Sequence, residues 1–233
     1  MNIIITGASK GIGRALAEKF AANGYGLYLC ARDETPLKAL AAELQDRFPG
    51  PGVHYLPCDL SLKNEVSRFA EWVLSNTASV DILVNNAGTY TPGNVHDEPD
   101  GALELLMNTN VYSAYYLCRQ LLPAMMKQHS GHIFNICSVA SLRAYPNGGS
   151  YSITKYALAG LSANLRDELR ESGIKVTAVF PGAVWTASWE GSGVPPGRMM
   201  KAGDIAEMIY VSAQLSSQAC VEEIVIRPQL GDL

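Results

Sequence analysis

Ser138, Tyr151 and Lys155 are the side chains whose types and spacing could do chemistry, and they follow a glycine-rich opening, T-G-A-S-K-G-I-G, at 6–13. Tyr151 and Lys155 lie four apart in Y-S-I-T-K, so on a helix they share one face. A phenol titrates at about 10 in water, too high for an efficient acid or base near neutral pH. An ammonium beside it favours the ionised form. The Ser138 hydroxyl, thirteen residues upstream of the tyrosine, could bind a substrate oxygen. Such a trio would move a proton to or from an oxygen beside a nucleotide cofactor. That is the chemistry of reducing a carbonyl or oxidising an alcohol.

These groups need a frame, and the chain's rhythm supplies one. A short β-rich run at 2–6 ends in the glycine turn, and 12–22 reads as a helix. A strand at 26–31 and a helix at 34–48 follow, broken decisively by Pro49, Gly50, Pro51 and Gly52. Strands are expected at 53–58 and 80–85 around a helix at 63–76. The second half continues with a helix at 102–128 interrupted near 108–110, a strand at 131–137 and a long helix at 152–171. It ends with a strand at 175–180, a helix at 204–214 and a short strand at 223–227. Continuous apolar strands between amphipathic helices argue for an α/β fold, a doubly wound parallel sheet covered on both faces. No linker, repeat or low-complexity block divides 1–233, so one domain is the economical reading. The least regular stretch, about 183–201, contains Trp185, Trp189, Pro195 and Pro196 and reads as a substrate loop.

Composition narrows the field. The chain has 233 residues, 48% of them hydrophobic, enough for one substantial core. Lys and Arg number 18 against 22 Asp and Glu, a net charge of −4, which favours neither nucleic acid nor an anionic membrane as partner. Five cysteines form no C-x-x-C pair and suit a reducing compartment better than a disulfide scaffold. No apolar run approaches the roughly 20 residues of a membrane helix, and the first strand begins without a charged leader. The expected location is cytoplasmic. His54, His96, His129 and His132 are scattered without ligand spacing, so no metal is expected.

The glycines fall as G-x-x-x-G-x-G, with Gly7, Gly11 and Gly13 at the expected strand-to-helix switch. There the backbone can approach a pyrophosphate and the helix N-terminus can favour its charge. Ser9, Lys10 and Ile12 belong to the same loop. Arg32 follows the second strand, where an acid would bind an unphosphorylated ribose and an arginine can accommodate a 2′-phosphate. Lys10 and Arg32 together favour NADP(H) over NAD(H). Asp33 competes with that reading, because a small rotation of the loop would present a carboxylate instead. Asp59 and Leu60 after the third strand, and Asn86, Ala87 and Gly88 after the fourth, are placed to line the adenine and ribose side of the crevice.

With these motifs assembled, the chain resembles the classical short-chain dehydrogenase/reductase family along almost its full length. The resemblance rests on T-G-A-S-K-G-I-G at 6–13, D-L at 59–60, N-N-A-G at 85–88, Asn110, Ser138, Y-S-I-T-K at 151–155 and P-G at 181–182. It implies a Rossmann-like three-layer α/β/α sandwich with a mainly seven-stranded parallel sheet and a nicotinamide cofactor. It implies an active site of Asn110, Ser138, Tyr151 and Lys155. It further implies that Asn86 helps position the cofactor, that Lys155 also holds the nicotinamide ribose, and that Asn110 supports a water-linked proton path. Tyr151, Pro181, Gly182, Val184 and Thr186 complete the implied cofactor site. Family members commonly form homodimers or homotetramers, and the helices at 102–128 and 152–171 are the expected packing surfaces. The implied activity interconverts a small ketone or aldehyde with its alcohol. A non-catalytic NADPH sensor and a carrier-linked 3-oxoacyl reductase are the competing readings, the latter weakened by the lack of a large basic cluster. A weak preference for apolar or aromatic carbonyls rests on Trp185, Val184, Trp189, Met199 and Met200.

Overall fold

Strands β1 (Asn2–Thr6), β2 (Gly26–Ala31), β3 (Val53–Pro57), β4 (Ile82–Asn85), β5 (Gly131–Ile136), β6 (Ile174–Pro181) and β7 (Glu223–Ile226) are joined through helices. These are α1 (Gly11–Ala21), α2 (Glu34–Arg47), α3 (Lys63–Asn76), α4 (Ala102–Met107), α5 (Ser113–Gln128), α6 (Gly149–Leu169) and α7 (Ala202–Ala213). The computed structural model describes residues 1–50, 52–186, 189 and 193–233. The strands form one sheet in the order β3-β2-β1-β4-β5-β6-β7, and every pair is parallel. This is the Rossmann-like doubly wound sheet expected from the motifs.

Strand alternation divides the core between the two faces. Ile3 and Ile5 enter a cluster with Leu16 and Phe20 of α1, Leu37 and Leu40 of α2, and Ile205 and Ile209 of α7. Ile4, between them, points the other way and packs with Phe69 of α3, Leu117 and Leu121 of α5, and Leu165 of α6. Each of these large side chains removed from water contributes about 1.5–3 kcal/mol. The two layers of helices therefore hold one sheet rigidly between them. β1 pairs with β2 on one side and β4 on the other, so the chain reverses its direction of progress there. In open sheets of this kind a crevice forms outside the carboxyl ends at that reversal.

Four departures from the expected boundaries matter for the site. α6 begins at Gly149 rather than at 152, which puts Tyr151 in the first turn. The expected interruption of the 102–128 helix is a π-helical turn, Asn108–Tyr112, that inserts Asn110 without breaking the rod. β4 begins two residues late, because both backbone groups of Val80 are taken by the Gln128 side chain, its Oε1 accepting at 2.9 Å and its Nε2 donating at 3.2 Å. The end of the long helix tightens into a 3₁₀ turn, Arg170–Ser172, before Gly173 at φ 74. No helix among the described residues is long and apolar enough to cross a membrane.

Candidate active site

The glycine loop is held by its neighbours rather than by its own bonds. Gly7 and Gly11 have φ of 62 and 57, a left-handed conformation that other residues adopt only with strain. A side chain at Gly13 would collide with the Gly7 carbonyl oxygen and lie 2.6 Å from Asn86 Nδ2. Asn86 Nδ2 donates to the carbonyls of Thr6 (2.8 Å) and Gly7 (3.0 Å). In return, the Thr6 hydroxyl oxygen accepts from the backbone N–H of Asn86 and of Ala87, both at 2.9 Å. The loops after β1 and β4 are thereby locked into one unit.

α1 then starts with no side-chain cap and no acid in its first turn. Its orphan N–H groups and the positive end of its dipole face the crevice. Lys10 and Arg32 are exposed beside it and make no ion pair among the described residues. Asp33, the possible competitor, is engaged elsewhere: its carboxylate caps α2 by accepting from Thr35 N at 3.1 Å. Asp59 accepts from the amide and hydroxyl of Ser61, at 3.0 and 2.8 Å, which turns the chain after β3. Leu60 is buried behind it.

The other side of the crevice is built on α6 and the π turn. Lys155 is only 5% exposed, and its ammonium donates to the Ile136 carbonyl at 2.8 Å. It lies 5.7 Å from the Tyr151 ring centroid. Asn110, 1% exposed, accepts from Thr89 N at 2.8 Å and donates to Thr89 O and Thr154 Oγ1, each at 3.0 Å. Thr154 in turn donates to the Tyr151 carbonyl at 2.8 Å. A side chain at Gly88 would stand 3.2 Å from Asn110 Oδ1 and 3.6 Å from Lys155 Nζ, so glycine there keeps the space beside the ammonium open. The Ser138 hydroxyl accepts from Ala140 N at 3.1 Å and, among the described residues, donates to nothing.

Tyr151 also has aromatic company that the motifs did not disclose. The Tyr90 ring meets it edge to face at 4.9 Å. Tyr145 completes the cluster: burial and the neighbouring Tyr90 and Tyr151 phenols push its hydroxyl above the ordinary tyrosine range. Thr89, Tyr90 and Tyr145 were missed by the motif reading, and Thr6 and Thr154 lay inside its motifs without being given a role. Thr6 carried a signal as the residue ending a strand immediately before a glycine turn, and Thr154 as the residue beside Lys155 in Y-S-I-T-K.

The far rim is the start of the expected substrate loop. Gly182 N donates to Ile226 O at 2.8 Å, and Val184 bridges to Met200, which closes the loop's base after Pro181. The side chain of Thr186 faces Gly11, where an added methyl would touch it at 3.0 Å. Val184, Met199 and Met200 are buried, and Val184 and Met200 join the core packed against α1 and α7. They belong to the loop's foundation, which removes them as support for an apolar substrate. Residues 187, 188 and 190–192 of the loop lie outside the described residues. A cavity of about 410 Å³ lies elsewhere, with Leu142, Ser162, Arg166, Phe180 and Glu222 in its walls and none of the expected catalytic groups. No group of three metal-ligating side chains occurs among the described residues.

A family model for short chain dehydrogenase matches residues 1–193. The chain is 34% identical to sepiapterin reductase of Chlorobaculum tepidum over 99% of its own length and 97% of the relative's. It is also similar to a metagenomic short-chain oxidoreductase solved in complex with NADP, with 31% identity, a TM-score of 0.86 and coverage of 98% and 97% of the two chains. The L-sorbose reductase of Gluconobacter frateurii, solved with NADPH and L-sorbose, superposes with a TM-score of 0.90 at 26% identity, covering 97% of this chain and 95% of that one. The chain belongs to the short-chain dehydrogenase/reductase family and is an oxidoreductase of that family.

Proposed function

We propose that the chain is an NADP(H)-dependent reductase that interconverts a ketone or aldehyde with its alcohol, with Tyr151 as general acid and base. The observation that carries this reading is the convergence of Tyr151, buried Lys155 and Asn110 at one end of α6, across from a helix N-terminus left without a cap.

The residues fit a dinucleotide. Gly7 and Gly13 leave no room for side chains where the backbone must approach a pyrophosphate, and Gly88 leaves room for a ribose beside Lys155. Gly7, Ser9, Lys10, Gly11, Ile12 and Gly13 would hold the phosphates, and Asp59, Leu60, Asn86, Ala87 and Gly88 the adenosine side. Lys155, Pro181, Gly182, Val184 and Thr186 would hold the nicotinamide side. The cofactor supplies the hydride when bound. Ser138 then donates to the substrate oxygen, using the hydrogen that no group among the described residues takes. Tyr151 gives that oxygen its proton during reduction and removes it during oxidation. Lys155 keeps a positive charge near the phenol, which offsets negative charge appearing there when the proton leaves. Asn110 fixes the loop after β4 against α6 and so sets the proton path's geometry.

Support for NADP(H) over NAD(H) comes from Lys10 and Arg32, exposed and without ion pairs among the described residues, while Asp33 is committed to its cap. Solved relatives bound to NADP or NADPH support it. A carbonyl attached to an apolar or aromatic group is the preferred substrate, now on the strength of Tyr90 and Tyr145 beside Tyr151. The whole of 1–233 acts as one cofactor-binding domain in the cytoplasm, assembled as a homodimer or homotetramer. Leu105, Tyr112 and Tyr115 on the α4–α5 rod and Ile153 and Tyr156 on α6 are large apolar side chains left exposed for that packing.

The test is oxidation of NADPH and NADH by the purified chain over a panel of ketones, aldehydes and acyl-thioester ketones. NADPH should turn over faster, and Tyr151→Phe should lower kcat by about 10²–10⁴-fold, the usual contribution of a positioned proton donor. Undiminished turnover in Tyr151→Phe would remove the tyrosine mechanism. A faster NADH reaction would reverse the cofactor assignment.

A further inference from the structure

The N-terminus of α6, the helix that carries Tyr151 and Lys155, is held by a residue from a different part of the chain. Gly148 occupies the capping position and has no side chain to offer. The amide of Ser150, one of the helix's orphan donors, is instead accepted by Glu98 Oε1 at 2.9 Å. Two glycines form the slot for this side chain. A side chain at Gly93 would press on Glu98 Cγ at 2.7 Å, and one at Gly149 would strike the Glu98 carboxylate itself. Both glycines therefore have a shared reason to lack Cβ.

The rest of the loop aims the carboxylate. Asn94 N donates to Asp97 Oδ1 at 3.0 Å and the Glu98 amide returns to Asn94 O at 2.9 Å, forming a tight turn. Hydrogen bonds from Asn94 hold the Asp97 carboxyl below its ordinary range. That turn is fastened to the segment before α6 at two further points. Asn147 N donates to Asn94 Oδ1 at 3.1 Å, and Gly93 N donates to Asn147 O at 3.1 Å. Upstream in the same segment, Tyr90 packs edge to face on Tyr151. Chain 90–98 thus clasps the first turn of α6 from both ends.

We propose that Glu98 is a positioning residue for the reaction: by capping α6 through Ser150 N, one residue before Tyr151, it fixes the direction in which the phenol meets the substrate oxygen. This rests on Tyr151 being the acid and base. A carboxylate suits the place, since it is attracted to the positive end of the helix as well as to the amide. Loss of the clasp would let the first turn fray and the phenol wander. A misplacement of about 1 Å lowers rates strongly, while the phosphate-binding loop at the start of α1, which Glu98 does not touch, keeps its hold on the cofactor.

The experiment compares wild type, Glu98→Ala and Glu98→Gln in the full chain, with kcat and KM for NADPH and for the best carbonyl of the wild type. Amide hydrogen exchange over 149–152 is measured alongside. Glu98→Ala should lower kcat on the order of 10–100-fold with KM for NADPH nearly unchanged and faster exchange in the first turn of α6. Glu98→Gln keeps an acceptor and should recover most of the rate and the protection. Wild-type kcat in Glu98→Ala would overturn the proposal, as would equal losses in both variants together with a collapsed melting transition. An inactive wild type would sink the tyrosine reading instead. The exchange arm would then still decide whether Glu98 holds the helix, unchanged protection in Glu98→Ala refuting it.

Discussion

The two ends of the same seven strands use the same polar residue types to opposite effect. At the amino end, polar groups consume one another. Asn2 N donates to Asp81 at 2.6 Å, the Asn2 side chain donates to Thr77 Oγ1 at 2.8 Å, and Ser79 donates to Asp81 at 2.9 Å. Lys175 caps the carbonyls of Leu215 and Ser216. At the carboxyl end, the α1 amides have no cap and the Ser138 hydroxyl donates to nothing among the described residues. Among the described residues, Lys155 spends a single hydrogen bond, to Ile136 O, although an ammonium has three donors. One edge is sealed and the other keeps hydrogen-bonding capacity in reserve. Changes at the open edge should therefore alter binding and rate, and changes at the sealed edge should alter stability alone.

The largest effect expected on cofactor binding is at Gly13. Valine there would drive its side chain into the Gly7 carbonyl and the Asn86 amide; overpacking costs about 1–3 kcal/mol, and a clash with backbone falls at the upper end. NADPH affinity, read by titration calorimetry, should fall roughly 100-fold, following the rule of tenfold per 1.4 kcal/mol. Retained affinity would mean that the loop backbone does not form the phosphate site. Next comes Asn86→Leu, which removes two hydrogen bonds to the loop carbonyls. Leaving such groups unmet costs about 1–3 kcal/mol, so NADPH should bind roughly tenfold more weakly. A larger loss of melting temperature than of affinity would place Asn86 with the sealed edge instead.

The open edge was readable in the sequence because its demands are imposed on the backbone. Gly7, Gly11 and Gly13 must be glycine for conformation or clearance, and such needs leave a mark at fixed spacing. The strand and helix rhythm was readable for a similar reason, since Ile3, Ile4 and Ile5 fill both sides of a buried strand. The clasp on α6 left no mark. Glu98 and Ser150 are 52 residues apart, and nothing local distinguishes that glutamate from a solvated one. The π turn was sensed only as an interruption near Asn108, because one inserted residue shifts a helical face without changing composition. Val184 and Met200 were misread for the converse reason: an apolar residue in a loop looks alike whether it lines a substrate or anchors the loop to a core.

At the sealed edge, His132 gives a pH test. Thr177 uses its hydroxyl hydrogen on Val221 O at 2.6 Å, so it accepts from His132 Nε2 at 2.7 Å and fixes the tautomer. Burial, reinforced by the Lys175 charge, lowers the imidazole to about 3. The unfolded chain takes up this proton below about 6.5 and the folded chain does not. Stability is therefore complete above that pH and declines as pH falls toward 3, by at most about 1.4 kcal/mol per unit. Melts of wild type should show that decline between pH 6.5 and 5, and His132→Gln should flatten it. An unchanged slope in the variant would assign the acid sensitivity to other groups.

Gln128 offers the smallest and cleanest break. Its side chain satisfies both backbone groups of Val80, which a leucine cannot do. An unmet buried backbone group costs about 1–3 kcal/mol, less where water can reach it, and the half-buried Gln128 site should lie at the low end, about 1 kcal/mol. Urea unfolding of Gln128→Leu should show that loss as a lower midpoint with an unchanged slope. Turnover with NADPH should remain that of the wild type, because Val80 precedes β4 at the end of the sheet away from Asn86. A fall in kcat larger than the fall in stability would show that the sealed edge transmits to the open one, and the division between them would have to be abandoned.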